Sequence, residues 1–185
     1  MAPIRYSQRR MFAARPLDGL PATGPRALSF PRPDAFREGF VVEFEDEDGR
    51  FWVGNFCKFL DGGKCSVHTD LGPHAVVVVA GGSGYLIDAA SRRLIREIGF
   101  DIEHIWFDDK LSAIIVCNGL WFEAFDAQKV VWRSRRVSWD GVRSLKQSGS
   151  ALVGEAFDAV TDQWLPFCLD LTKGDIQGGA YQGPE

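Results

Sequence analysis

The side chains that could bind a metal ion lie together in one stretch of the chain, at Cys57, Cys65, His68, Asp70 and His74. Thiolate and imidazole groups suit zinc, which takes four ligands in a tetrahedral arrangement. The spacing lacks the closely paired cysteines that pre-form half of such a site. We therefore expect no metal or other cofactor. The alternative, a zinc ion held by Cys65, His68, Asp70 and His74, stays open.

A cysteine nucleophile would require a base brought close by folding. Cys117 and Cys168 lie outside the metal-ligand stretch, as does His104. The chain has no Gly-x-Ser-x-Gly elbow, and free cysteines are more often small buried apolar residues. We assign no catalytic residue. The alternative from the enzyme class is a metal-dependent or cysteine-based hydrolase.

A glycine-rich segment, Gly81-Gly82-Ser83-Gly84, follows an apolar run. A phosphate-binding loop would need a helix N-terminus directly after it. The residues that follow, Tyr85-Leu86-Ile87, are typical of a strand. This segment therefore predicts a hairpin turn.

An arginine and tryptophan cluster is the better candidate for binding. The segment from Val131 to Trp139 contains two indoles and three guanidinium groups: Trp132, Trp139, Arg133, Arg135 and Arg136. Arginine stacks on tryptophan and pairs with carboxylate or phosphate, so such clusters are common on binding surfaces. We take Arg133, Arg135, Arg136 and Trp139 as candidate binding residues. The alternative is that both tryptophans belong to the core and the arginines cover them.

Composition limits the classes of protein to which this chain can belong. Its 185 residues are 45% hydrophobic and 25% charged, with a formal net charge of -4. These values fit a folded domain and exclude a wholly disordered chain. They also disfavour nucleic-acid binding, which normally requires a basic excess. No apolar run is long enough to span a membrane, and the N-terminus lacks a secretory signal. Four scattered cysteines predict reduced thiols in the cytoplasm.

The first 39 residues differ from the rest of the chain. They hold six of the nine prolines and seven arginines. Because proline fixes φ and removes a backbone donor, this stretch predicts an extended arm, frayed over Met1–Arg10. From residue 40 to 185 we expect a single β-repeat domain.

Short apolar runs separated by turn residues fill the chain after residue 39. Phe40–Phe44 and Phe51–Phe56, joined through Asp48-Gly49, predict a hairpin. Ala75–Ala80 predicts a strand buried on both faces. Further strands are predicted at 85–87, 93–98, 102–107, 111–117, 120–125, 129–133, 142–145, 152–157 and 164–170, and no segment shows a helical period with caps. The chain is therefore predicted to be all-β.

Three segments repeat one pattern, an apolar strand that ends in Asp-Ala and is followed by another strand. The corners are Asp88, Asp126 and Asp158, 38 and 32 residues apart. Aspartate there can accept hydrogen bonds from backbone N–H groups two residues on. The pattern resembles the strand–Asp–turn–strand unit of quinoprotein-type β-propellers. That resemblance implies an antiparallel meander of propeller-like repeats, as a small or open propeller or a sandwich.

Several segments also resemble a group of bacterial proteins of unassigned function. They are Arg15–Pro21, Trp52–Phe56, Ala80–Gly82, Val137–Gly141, Leu169–Gly174 and Gly178–Tyr181, and the likeness extends from Ala14 to Tyr181. It implies no activity, cofactor or catalytic residue. It does imply that the arm packs on the β body from about residue 15.

These observations favour a cytoplasmic, non-catalytic β-repeat module that binds a protein or a small polar ligand on one rim. No nucleic-acid or membrane partner is expected. The third alternative is a structural subunit of a homo-oligomer, formed when exposed strand edges pair.

Overall fold

A computed structural model describes residues 12–33 and 38–183, and those residues contain strands and no helix. None of them therefore lies in a helix that could cross a membrane. The predicted all-β class is confirmed. The predicted frayed segment Met1–Arg10 lies outside the described residues.

The first sheet is built from strands that enclose the predicted hairpin: β1 (Phe12–Leu17), β2 (Leu28–Phe30), β3 (Phe40–Asp46) and β4 (Phe51–Phe56). Its order is β1-β3-β4-β2, and β2 runs parallel to β4 while the other pairs are antiparallel. Gly49, with φ of 75°, closes the β3–β4 turn, which confirms the predicted hairpin.

Three further four-stranded sheets follow in chain order. The second comprises β5 (Ser66–His68), β6 (Ala75–Ala80), β7 (Ser83–Asp88) and β8 (Arg93–Glu97). The third comprises β9 (His104–Asp108), β10 (Ala113–Cys117), β11 (Phe122–Phe125) and β12 (Val130–Arg133). The fourth comprises β13 (Val142–Ser148), β14 (Ala151–Asp158), β15 (Gln163–Asp170) and β16 (Ile176–Gly178). Each is an antiparallel meander in chain order, the form of a propeller blade.

The apolar run at β6 is buried along its whole length, as predicted for a strand covered on both faces. The segment after it forms the tight β6–β7 turn through Gly81 and Gly82, both with positive φ. The hairpin interpretation of this glycine-rich segment is confirmed.

Two of the aspartate corners accept the N–H group two residues on, as predicted, while Asp88 accepts that of Ser91, three residues on. One of the three corners also has a different place in the repeat. The Asp126 carboxylate accepts the N–H of Gln128 at 2.7 Å, and the Asp158 carboxylate accepts that of Val160 at 3.0 Å. Asp88 and Asp126 both lie between the third and fourth strands of their sheets, whereas Asp158 lies between the second and third. The corner of the fourth sheet that matches the other two is Asp170.

The chain divides into two compact units, an N-terminal unit (Met1–Asp101) and a C-terminal unit (Ile102–Glu185). The N-terminal core joins the first two sheets, and Phe44 stacks on Trp52 there with ring centroids 4.1 Å apart. The C-terminal core joins the third and fourth sheets, and the buried Trp132 donates its indole N–H to the Leu171 carbonyl at 2.8 Å. The predicted domain boundary at residue 39 stays a prediction.

Candidate functional site

The candidate metal ligands make local contacts in the N-terminal unit. Nε2 of His68 lies 3.0 Å from the Ser66 hydroxyl oxygen. The Cys65 sulfur accepts the N–H of Gly81 at 3.2 Å. Burial lowers the pKa of His68, and the nearby negative charge of Asp70 opposes that shift. Neutral imidazole is therefore the favoured form of His68 near pH 7.

His74 has a different environment. Its ring packs edge-on against Phe12 of β1, with centroids 5.8 Å apart. Its Nδ1 is buried and has no hydrogen-bond partner among the described residues. Within residues 12–33 and 38–183, no three His, Cys, Asp or Glu side chains are grouped so that they could share a metal ion. The structure therefore does not bring Cys65, His68, Asp70 and His74 together as one ligand set.

The candidate nucleophile Cys117 lies directly opposite His104 in the β9–β10 pair. Its thiol is buried in the C-terminal core and accepts the N–H of Gly119 at 3.4 Å. Burial raises the pKa of Cys117 to about 12. Because the thiolate is the nucleophilic form, this environment suppresses reactivity.

Arg133, the first of the candidate arginines, is engaged with the neighbouring strand. Its Nε and Nη2 both contact Oε2 of Glu123, the residue opposite it in the β11–β12 pair. Its guanidinium group also lies 5.9 Å from the ring centroid of Trp121. Arg133 therefore joins two strands of the third sheet at the surface.

Arg135 holds a remote part of the chain. Its Nη2 donates to the Gly178 carbonyl at 2.6 Å, and its Nη1 donates to the carbonyls of Tyr181 and Arg136 at 3.1 and 3.0 Å. The same segment is held through Val137, whose carbonyl accepts the N–H groups of Ala180 and Tyr181. Arg135 thus fastens residues 178–181 to the segment that follows β12.

Arg136 is similarly occupied. It donates to the carbonyls of Ser138 and Trp139 at 2.8 and 2.9 Å. Its guanidinium group lies 4.6 Å from the Tyr181 ring centroid and 5.4 Å from that of Trp139. Trp139 remains 38% exposed and meets Tyr181 edge-on. This arrangement is an internal clasp, and a binding role for Arg133, Arg135, Arg136 and Trp139 stays a prediction.

A second surface feature, in the N-terminal unit, was not predicted from the sequence. Three large apolar side chains, Phe59, Leu60 and Phe100, are 49%, 50% and 57% exposed. The rings of Phe59 and Phe100 lie 5.8 Å apart between centroids. We call these three residues the apolar tip. Neighbouring exposed apolar residues of this kind mark interaction surfaces in folded proteins.

The backbone beneath the apolar tip is fixed by hydrogen bonds to the β6–β7 turn. Phe59 and Leu60 donate their N–H groups to the carbonyls of Ala80 and Gly81, at 3.3 and 2.9 Å. Gly81 has φ of +54°, and an added Cβ there would lie 2.3 Å from the Leu60 carbonyl oxygen. Only glycine permits this approach. These contacts therefore hold the backbone of Phe59 and Leu60 against the β6–β7 turn.

A sequence signal for the tip exists but is weak. Phe59-Leu60 directly precedes the turn residues Asp61-Gly62-Gly63, and Phe100 lies between Gly99 and Asp101. Large apolar residues are unusual at such positions, where polar and small residues dominate. Their meeting at one surface depends on the fold.

Comparison with known proteins gives structural likenesses alone. No protein-family model matches the chain, and no curated protein matches it. The chain is similar to hydrazine synthase of Kuenenia stuttgartiensis, with 14% identity and a TM-score of 0.48, over 77% of this chain and 45% of that one. It is also similar to a eukaryotic initiation factor, with 12% identity and a TM-score of 0.41, over 77% of this chain and 40% of that one. The chain thus spans less than half the length of these two structures.

Proposed function

We propose that the protein is a non-catalytic β-repeat module that binds a partner protein through the apolar tip. The observation that carries this proposal is the pair of half-exposed rings, Phe59 and Phe100, with Leu60 beside them on a fixed backbone. Aromatic side chains that are buried on binding commonly dominate interface energies. A surface that is ordered in advance also loses less entropy on association.

The charges around the tip favour a protein partner over a lipid surface. Lys58 and Lys64 are close in sequence to Phe59 and Leu60, but so is Asp61, and Asp101 follows Phe100. Binding to anionic membranes relies on an excess of lysine and arginine. The balanced charges here fit a partner that presents an apolar pocket with a mixed polar rim.

The hydrolase alternative receives less support. The Cys117 thiol, with its pKa raised to about 12, is the opposite of an activated nucleophile. His68 and His74 contact different neighbours, Ser66 and Phe12. These contacts favour structural roles for all three residues.

The test compares the full chain with a double variant, Phe59→Ser with Phe100→Ser, and a control, Val160→Ser. Val160 is a strongly exposed apolar residue in the β14–β15 turn. Each protein is used as bait, captured proteins are identified by mass spectrometry, and each one is purified and titrated against all three baits. The proposal expects a partner that binds the wild type and the control and binds the double variant about tenfold or more weakly.

Two outcomes would overturn this function. One is a set of partners that bind the double variant as tightly as the wild type. The other is tip-dependent binding to anionic phospholipid vesicles, or tip-dependent self-association in sedimentation, without any tip-dependent protein partner.

The rigidity of the tip gives an independent prediction. Gly81→Ala leaves the tip side chains intact but forces the Leu60 carbonyl away from the new methyl group. We expect weaker partner binding and altered amide shifts at Phe59 and Leu60 in NMR spectra. Unchanged affinity would show that the fixed backbone is not needed.

A further inference from the structure

An open surface cavity of about 370 Å³ lies on the first sheet, and its described lining includes no residue of the apolar tip. Its described lining consists of residues 20–27 together with Ser29, Glu38 and Asn55. This volume is within the range of small-molecule sites. The segment 20–27 connects β1 to β2 and contains Pro21 and Pro25, whose fixed φ angles stiffen it.

The floor of the cavity is polar because successive side chains of β4 point to opposite faces of the sheet. Trp52 and Phe56 belong to the N-terminal core, so Asn55 points to the opposite face of the sheet. Asn55 is 3% exposed, and the parallel register places Ser29 beside it. An amide and a hydroxyl group therefore lie next to each other at the base of the cavity.

The wall of the cavity is held by backbone hydrogen bonds. Oε2 of Glu38 accepts the N–H of Leu20 at 2.8 Å, and Oδ1 of Asn55 accepts that of Gly39 at 2.8 Å. These bonds tie residues 38 and 39 to both the loop and the floor. The side chains of Glu38 and Asn55 are therefore held in place at the cavity.

The charges of the lining narrow the class of ligand. Glu38 and Arg26 both line the cavity. The Glu38 carboxylate would repel an anion, and the Arg26 guanidinium group would repel a cation. A neutral molecule with both hydrogen-bond donors and acceptors therefore fits best. Leu20, Pro21, Pro25 and Ala27 add apolar surface for its C–H groups. We propose that this cavity is a binding site for a small, neutral, hydroxyl-rich molecule such as a monosaccharide or a cyclic polyol.

The experiment titrates the full chain with D-glucose and myo-inositol as neutral probes, and with D-glucosamine and D-glucuronate as charged probes. Backbone amide shifts are followed by NMR. The proposal expects at least one neutral probe to bind in the millimolar range, with shifts at residues 20–29 and Asn55, and more tightly than either charged probe.

Three variants locate the binding. Ser29→Ala removes a hydroxyl group from the floor and should lower the affinity for the neutral probe several-fold. Glu38→Gln keeps an acceptor for the Leu20 N–H but removes the charge, so it should shift the preference among charged probes toward glucuronate. The matched control is Glu45→Gln, on β3 of the same sheet but outside the described lining. It should change neither result.

The proposal is overturned if no neutral probe shifts the cavity residues, or if a charged probe binds more tightly than both neutral ones. It is also overturned if Ser29→Ala and Glu38→Gln leave every affinity unchanged. The apolar tip is untouched in these variants, so failure here leaves the proposed partner binding to its own test.

Discussion

The contacts of Arg135 make a quantitative prediction about stability. Two of its three hydrogen bonds reach carbonyls in the distant segment 178–181, those of Gly178 and Tyr181. A hydrogen bond that involves a charged group contributes about 1.5–3 kcal/mol. Because Arg135 is only partly buried, water can replace part of each contact, and we take about 1 kcal/mol for each remote bond. Arg135→Ala should therefore lower the free energy of unfolding by about 2 kcal/mol.

Arg135→Lys tests whether the stability depends on the positive charge at this position or on the geometry of the guanidinium group. Lysine keeps the charge, but its single nitrogen cannot donate to two separated carbonyls as the two Nη atoms do. We expect a loss of about 1 kcal/mol, between the wild type and Arg135→Ala. Arg93→Lys, at an exposed position on the edge strand β8, is the matched control and should change stability little.

Urea unfolding followed by circular dichroism measures these differences, and hydrogen exchange locates them. In Arg135→Ala, the amides of Gly179, Ala180 and Tyr181 should exchange faster, since their acceptors stay in place while the segment loosens. The reasoning is refuted if Arg135→Lys is as stable as the wild type, or if the exchange of these amides is unchanged.

Two further predictions concern protonation. A hydrogen bond from the Thr172 hydroxyl group to Asp170, at 2.6 Å, is the largest cause that lowers the pKa of Asp170. Thr172→Val should therefore raise that pKa toward its ordinary value, and the protein should lose less stability as the pH falls through the pKa. A carboxyl-carbon NMR titration that shows no rise in the pKa would contradict this. Burial lowers the pKa of His68, and the negative charge of Asp70 raises it. Asp70→Asn should therefore lower the pKa of His68 further. An imidazole titration that gives an unchanged or higher pKa would contradict this effect of Asp70.

Strands with strong local signals could be predicted, whereas strands stabilised by distant partners could not. The β-branched run at β6 needs no partner to identify it. The prolines around β1, including its own Pro16, predict an extended arm; in the structure β1 is an edge strand, where a missing N–H is tolerated. β2 has three residues and pairs in parallel with β4, a non-local contact that no short window of sequence contains.

The wrong placement of one aspartate corner in the repeat has a physical explanation. Any of these carboxylates can fix a reversal by accepting N–H groups that follow it, so the Asp-Ala pattern marks corners without numbering them. Asp158 therefore looked equivalent to Asp88 and Asp126, although the equivalent corner is Asp170. Strand pairing identifies the blade to which a corner belongs, and the local motif does not contain that information.

The arginine cluster shows why residue type alone predicts binding poorly in a protein made of short strands. Each short strand and each connection leaves carbonyls that need donors. One guanidinium group carries five N–H donors in a fixed plane, so an arginine next to a strand end can satisfy several at once, as Arg135 and Arg136 do. A phosphate or carboxylate could use only the N–H groups that these carbonyl contacts leave over. An arginine that directly follows a strand therefore predicts a hydrogen bond to a backbone carbonyl of the same chain before it predicts a binding site. The side chains of the apolar tip donate no hydrogen bonds to backbone carbonyls. The tip is therefore the stronger candidate for contact with a partner.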